Sequence, residues 1–188
     1  MPRPQSVPDD ALIFRLNRVF RAVGYEGASL TRLSEAAGLG RASLYSRFPG
    51  GKQAMAEAVL DAATQWLEDH LFQNLQGPGD PAERLFAVER ALSMYYQSGK
   101  DSCLIAMLSH PYSDDGPFSN ALAEMTRRLV DGFAHLARDA GLDEALARSR
   151  AERAFVELQG SLIFVRASRS TQPFRDMLAR LRPLLLDR

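Results

Sequence analysis

Six polar side chains fall within one short stretch, Arg41, Ser43, Tyr45, Ser46, Arg47 and Lys52. Their chemistry is that of binding. Guanidinium groups can pair bidentately with guanine edges or grip phosphate, while Ser and Tyr hydroxyls and a Lys ammonium are typical phosphate contacts that set register. No Ser-His-Asp arrangement, paired carboxylates near an apolar pocket, phosphate-binding glycine loop or metal-ligand spacing can be named anywhere in the chain. Catalysis is argued against, and no cofactor is expected.

The stretch from Ser29 to Lys52 must position these groups. Leu30, Leu33, Ala36 and Ala37 recur at helical spacing, and Ser29 stands where an N-cap hydroxyl meets the first free N–H groups. Gly38 can take positive φ, and Gly40 opens a second helix after a turn of about three residues. That helix, Arg41 to Phe48, buries Leu44 and Phe48, which leaves Arg41, Ala42, Ser43, Tyr45, Ser46 and Arg47 facing outward. With Ser29, Thr31, Arg32 and Lys52 these form the expected DNA-binding set. Two helices packed together with no ligand are the alternative reading of the turn alone.

The continuation LYSRFPGGKQAM, with Leu44, Tyr45, Phe48, Pro49, Gly50, Gly51 and Lys52, resembles the TetR family of bacterial transcriptional regulators. So does VFRAVGYEGASLTRL upstream, with Gly24 to Gly27 as a loop between two helices. The match covers roughly the first 60 residues. Gly40 replaces the small polar capping residue common in the family, Ser46-Arg47 replaces an aromatic or His pair, and the FPGGK loop is one residue longer than the commonest form. The operator sequence therefore does not transfer from relatives. The resemblance implies a dimeric repressor that reads a palindromic operator and is released by a small molecule held in its C-terminal part.

Charge is divided along the chain. The first 52 residues carry eight basic groups (Arg3, Arg15, Arg18, Arg21, Arg32, Arg41, Arg47, Lys52) against four acidic ones (Asp9, Asp10, Glu26, Glu35), although the whole chain has 23 of each. A basic head on an acidic body suits a nucleic-acid reader. No stretch has the apolar length of a membrane span, and the start lacks a signal-peptide core, so a soluble cytoplasmic protein with no membrane partner is expected. One cysteine excludes an internal disulfide framework and offers no zinc-ligand spacing.

Periodicity predicts an all-α chain of about nine helices: a three-helix head, residues 1–52, and an effector-binding and dimerisation domain, residues 53–188. The first helix begins at Pro8-Asp9-Asp10, with Leu12, Ile13, Leu16, Val19, Phe20 and Val23 inward and Arg15, Arg18 and Arg21 mostly away. A long helix runs from Gly51 to Leu75, and QGPGDP breaks the chain after it. The last two helices, Asp143 to Ser168 and Thr171 to Leu186, are apolar over more than one stripe. In the family such helices form a dimeric four-helix bundle, so Phe155, Leu158, Leu162, Phe174, Met177 and Leu181 are the expected interface, with burial inside one chain as the alternative.

Trp66, Met94, Tyr95, Cys103, Met107, His110, Phe133, Phe155 and Phe164 are the candidate effector pocket, although plain core packing is the commoner role for residues of each type. Ten Phe and six Met favour an apolar or aromatic effector over a sugar phosphate. Cys103 reads either as a sensor or as a small buried residue at a helix start. Two other functions stay open: a DNA-binding structural protein needing no effector, for which the body would be sealed, and an enzyme with a helix-turn-helix head.

Overall fold

The computed structural model describes residues 7–109 and 116–187. All its regular elements are helical: α1 Asp9–Gly27, α2 Leu30–Ala37, α3 Arg41–Arg47, α4 beginning at Gly51–Leu67, α5 Pro81–Tyr95, α6 Leu104–Leu108, α7 Ser119–Asp139, α8 Glu144–Ser168 and α9 Gln172–Leu185. α4 runs on without interruption through a π-helical stretch, Glu68–Phe72, and a last turn, Gln73–Gln76. Counted as continuous rods, nine helices make up the described residues, as the periodicity requires.

Local chemistry sets most ends. Ser29, Asp80 and Asp143 each accept a backbone N–H at the start of α2, α5 and α8, a contact worth about 1 kcal/mol per cap. Gly38 closes α2 at φ 67°, where a Cβ would be strained. The end of α4 is held differently: Arg84 of α5 donates to the carbonyls of Asn74 and Leu75 and pairs with Asp139 of α7 at 2.6 Å. Three elements thus meet on one buried guanidinium.

α1 departs from expectation twice. The anticipated loop at Gly24 to Gly27 is instead a kink inside the helix, with Gly24 at φ 72° and the last turn continuing to Gly27. Arg21, expected to face outward, is 5 % exposed. Its Nη1 donates to the Ser102 carbonyl at 2.9 Å, its Nε to Asn17 Oδ1 at 3.0 Å, and the guanidinium lies 4.4 Å over the Tyr95 ring. Stacking and two hydrogen bonds let a cation sit where periodicity alone admits only apolar groups.

The core is one contiguous cluster, from Leu12, Leu16 and Phe20 through Leu44, Met55 and Val59 to Phe133, Leu158 and Phe174. α1 packs on α2 and α4 and reaches α6, while α8 packs on α7 and α9. The head is therefore continuous with the body through α1, α4 and α6. An aromatic row, Trp66, Tyr95, Tyr96 and Phe174, crosses from α4 through α5 to α9 with successive ring centroids 4.9 to 6.0 Å apart. No described helix is long and apolar enough to cross a membrane.

Candidate nucleic-acid interface

α3 is seven residues long and buries only Leu44, with Phe48 half-buried at its end. Arg41, Ala42, Ser43, Tyr45 and Ser46 are exposed, as are Ser29, Thr31 and Arg32 at the start of α2. Arg41 Nη2 donates to Thr31 Oγ1 at 2.6 Å, tying the two helices on their outer side. Ser34 Oγ donates to the Leu39 carbonyl at 2.5 Å and braces the turn from within. The short helix is thus fixed by α2 beneath it and free along its outer edge.

Beside it lies a concavity of about 560 Å³ between the α1–α2 corner and the α3–α4 loop, lined among others by Tyr25, Ser29, Tyr45, Gly51 and Lys52. Tyr45 is 42 % exposed. Lys52 Nζ donates to the Tyr25 carbonyl at 3.0 Å and lies 4.1 Å over the Tyr25 ring. Burial, followed by the nearby carboxylates Glu26 and Glu57, raises the Tyr25 phenol above its ordinary value, so it stays neutral beneath that ammonium. An ammonium held at one side by a carbonyl and a ring still has N–H bonds to offer an anion.

Arg47 corrects the sequence reading of an outward residue. It is half-buried, and its Nη1 donates to the Val7 carbonyl at 2.6 Å and to Asp9 Oδ1 at 3.1 Å. The residue closes the chain entering α1 onto the end of α3, because two oxygen acceptors there outcompete solvent. Arg15, on α1, donates from Nη1 to the Ala37 carbonyl at 2.8 Å and caps α2.

The expected effector residues do not come together. Tyr95 and Cys103 border an interior space of only about 10 Å³, with Leu67, Leu71, Met125 and Leu129, at or below the room a single water needs, about 10–15 Å³. Cys103 is buried there, accepting from the Tyr96 hydroxyl at 3.7 Å and the Gln159 amide at 3.2 Å. Phe133 is in the core, Trp66 is stacked on His70, and Met94 and Phe164 are 63 % and 60 % exposed. Met107 is half-buried, its sulfur accepting from Arg166. His110 lies outside the described residues. Of the nine, Phe155 borders a surface groove of about 660 Å³ between α6, α7 and α8, and Phe164 a second groove of about 510 Å³ between α8 and α9. Aromatic and sulfur side chains with no unpaired polar atom fill space as readily as they line it, so type alone could not separate the two.

The expected interface residues are likewise corrected. Leu158, Leu162, Phe174, Met177 and Leu181 are each at most 2 % exposed within the single chain, and Phe155 is half-buried. Phe174 packs against the Tyr96 ring, and Leu158 borders the small interior space with Leu67 and Met125. What α8 presents outward is another stripe, Val156, Ile163 and Phe164, each at least 60 % exposed. Among the described residues no three His, Cys, Asp or Glu side chains gather as a metal site.

Comparison with known proteins agrees with this geometry. Residues 16–59, which span α2, α3 and the flanking parts of α1 and α4, match the family model for bacterial regulatory proteins of the tetR family. The HTH-type transcriptional regulator LmrA of Bacillus subtilis is 21 % identical over 167 residues, covering 87 % of this chain and 89 % of that protein. A TetR transcriptional regulator from Legionella pneumophila superposes with TM-score 0.81 at 16 % identity, covering 97 % of this chain and all of the other. CifR, a TetR family transcriptional regulator solved as a cysteine mutant with a 26-base-pair double-strand operator DNA, superposes with TM-score 0.69 at 25 % identity over 97 % of this chain and 98 % of its own.

Proposed function

We propose that this chain, which belongs to the tetR family of DNA-binding transcriptional regulators and is not an enzyme, acts as a homodimeric repressor that a small molecule releases from a palindromic operator. Residues 1–52 read the DNA, and residues 53–188 bind the effector and pair the two copies. Arg41, Ala42, Ser43, Tyr45 and Ser46 face the base edges and their flanking phosphates. Ser29, Thr31, Arg32 and Lys52 hold phosphate. The observation that carries the reading is the exposed outer edge of α3 beside the concavity of Tyr45, Ser29 and Lys52. Operator DNA as the partner places the protein in the cytoplasm.

A single seven-residue reading helix touches few bases, so one head alone binds weakly. Two heads related by a two-fold axis require half-sites separated by about one helical turn, roughly 34–36 Å, or a multiple of it. An effector acts if it favours the arrangement that misfits this spacing. A coupling of about 1–3 kcal/mol changes operator affinity roughly 5- to 150-fold. The junction suited to carry it is where α1 meets α6: Arg21 on the Ser102 carbonyl, and Gly24 against Met107, where an added Cβ would come within 3.2 Å of the Met107 carbonyl oxygen.

The sealed interior of about 10 Å³ bears on the alternative of an effector-independent DNA-binding protein. The groove of about 660 Å³ on the outside of the same helices favours a ligand-responsive one. The test is DNA binding by Lys52→Ala: affinity falls for all sequences and the slope of log affinity against log salt drops by about one unit. An unchanged slope would remove Lys52 from the phosphate contacts and with it the assignment of this face.

A further inference from the structure

The turn between α5 and α6 runs left-handed. Gln97, Ser98 and Gly99 follow one another at φ 46°, 57° and 90°, and only the third is glycine. Gln97 stands just past the end of α5, where a left-handed cap usually takes Gly. Its amide bonds the Met94 carbonyl at 3.2 Å, and that of Ser98 the Ser93 carbonyl at 2.7 Å. In this backbone region a Cβ crowds the following carbonyl oxygen, so two residues with a Cβ in succession store strain. Both are exposed, with Gln97 bonded to Asp101 and the Ser98 hydroxyl 3.3 Å from that of Ser93.

The turn is clamped from two sides. Arg21 of the head lies 4.4 Å over the Tyr95 ring and donates to the Ser102 carbonyl at 2.9 Å, so one guanidinium holds residues on both flanks of the turn. On the other side Gly99 lies against Phe174 of α9, where an added Cβ would come within 2.7 Å of the Phe174 Cβ. The Tyr96 ring meets the same phenyl edge-on. The Gly99 and Asp101 amides close the clamped form, both donating to the Tyr96 carbonyl, at 2.9 and 3.0 Å.

We propose that this turn is a sprung latch between head and body, a two-state element whose left-handed, closed form persists against its own strain because Arg21 holds it. Opening relaxes the turn, and the same step frees α1 from Ser102. The two are reciprocal: whatever strain the turn stores weakens the seating of the head by the same factor. Its regulatory meaning rests on the reading of residues 1–52 as the DNA-reading head, with the closed form as the one that fits the operator.

The test follows hydrogen exchange of the Asp101 amide, which is bonded in the closed form and whose chain neighbours stay unaltered by changes at 21, 97 or 98. In the full chain without DNA, Gln97→Gly combined with Ser98→Gly removes the strain. Glycine's extra freedom in the open form offsets part of this, and Asp101 exchange slows about tenfold. Gln97→Ala combined with Ser98→Ala loses the same side-chain contacts but keeps both Cβ atoms, and exchange does not slow. Arg21→Leu speeds exchange at least about tenfold. With operator DNA free at about ten times its Kd, binding to the closed form alone suppresses opening of the unaltered turn about elevenfold.

Exchange that fails to slow in the glycine pair, or slows equally in the alanine pair, overturns the stored strain. Unchanged exchange in Arg21→Leu overturns the hold of the head on the turn. Unchanged exchange with operator bound overturns the regulatory role and leaves a structural turn. A chain that selects no operator contradicts the DNA-reading head itself, while the DNA-free variants still decide whether the latch exists.

Discussion

Arg41 and Arg47 stand on one seven-residue helix and do different work. Arg41 is exposed and, among the described residues, bonds the Thr31 hydroxyl, which leaves it N–H groups for the proposed base contact. Arg47 spends its guanidinium on the Val7 carbonyl and Asp9. Arg41→Ala should cost about 1–3 kcal/mol of binding and relax specificity at one operator position, checked by titrating operators mutated base by base. Arg47→Ala should instead lower head stability by about 0.5–1.5 kcal/mol and weaken binding evenly across sequences, read by thermal melting beside the same titration. If loss at Arg47 is confined to one base pair, its assignment to structure is wrong. Arg21 belongs at this scale too: Arg21→Leu keeps the apolar burial but breaks the bond to Ser102. Operator affinity should then respond less to effector, while DNA binding without effector changes little.

At the scale of elements, α8 and α9 are joined by charge as well as by their apolar seam. Glu157 accepts from Arg153 on its own helix and from Arg180 on α9, at 2.9 and 3.0 Å. Burial pushes its carboxyl up, but the bonds from Arg180 and Arg153 outweigh that and hold it below the usual glutamate value. A carboxyl lowered in the folded state adds stability above its unfolded pKa, about 4.3, and loses it as pH falls through the folded value. Glu157→Gln should therefore cost less than about 1 kcal/mol near neutral pH, since the arginines are largely solvated. The two proteins should converge in melting temperature as pH falls below the unfolded value and on through the lower folded one. A constant difference across that range would contradict the pairing.

The elements also mark what a sequence can reveal. Caps and breakers fixed the helices because they act locally: Ser29, Gly38, Asp80-Pro81 and Asp143 each sit within two residues of a boundary. The helix-turn-helix was legible for the same reason. The α8 and α9 faces were not, since Leu158 and Ile163 are equally apolar and only packing decides which one is buried. The burial of Arg21 depends on Ser102, far along the chain, and on the Tyr95 ring, a long-range fact with no periodic signal. The π-helical turn at Glu68–Phe72 leaves no mark in composition either.

For the whole molecule, the core runs continuously from α1 through α4 and α6 to α9 and so joins the head to the body. A two-fold pair of such molecules reads DNA only when its heads match the spacing of two major-groove faces. The central claim is sequence-specific recognition by that pair. It is tested most directly by selecting bound duplexes from a random library with the purified chain at one fixed salt concentration. The account predicts an enriched palindrome with half-site centres about one helical turn apart, or a multiple of it. Enrichment of a single asymmetric site, or none from folded protein, would contradict it.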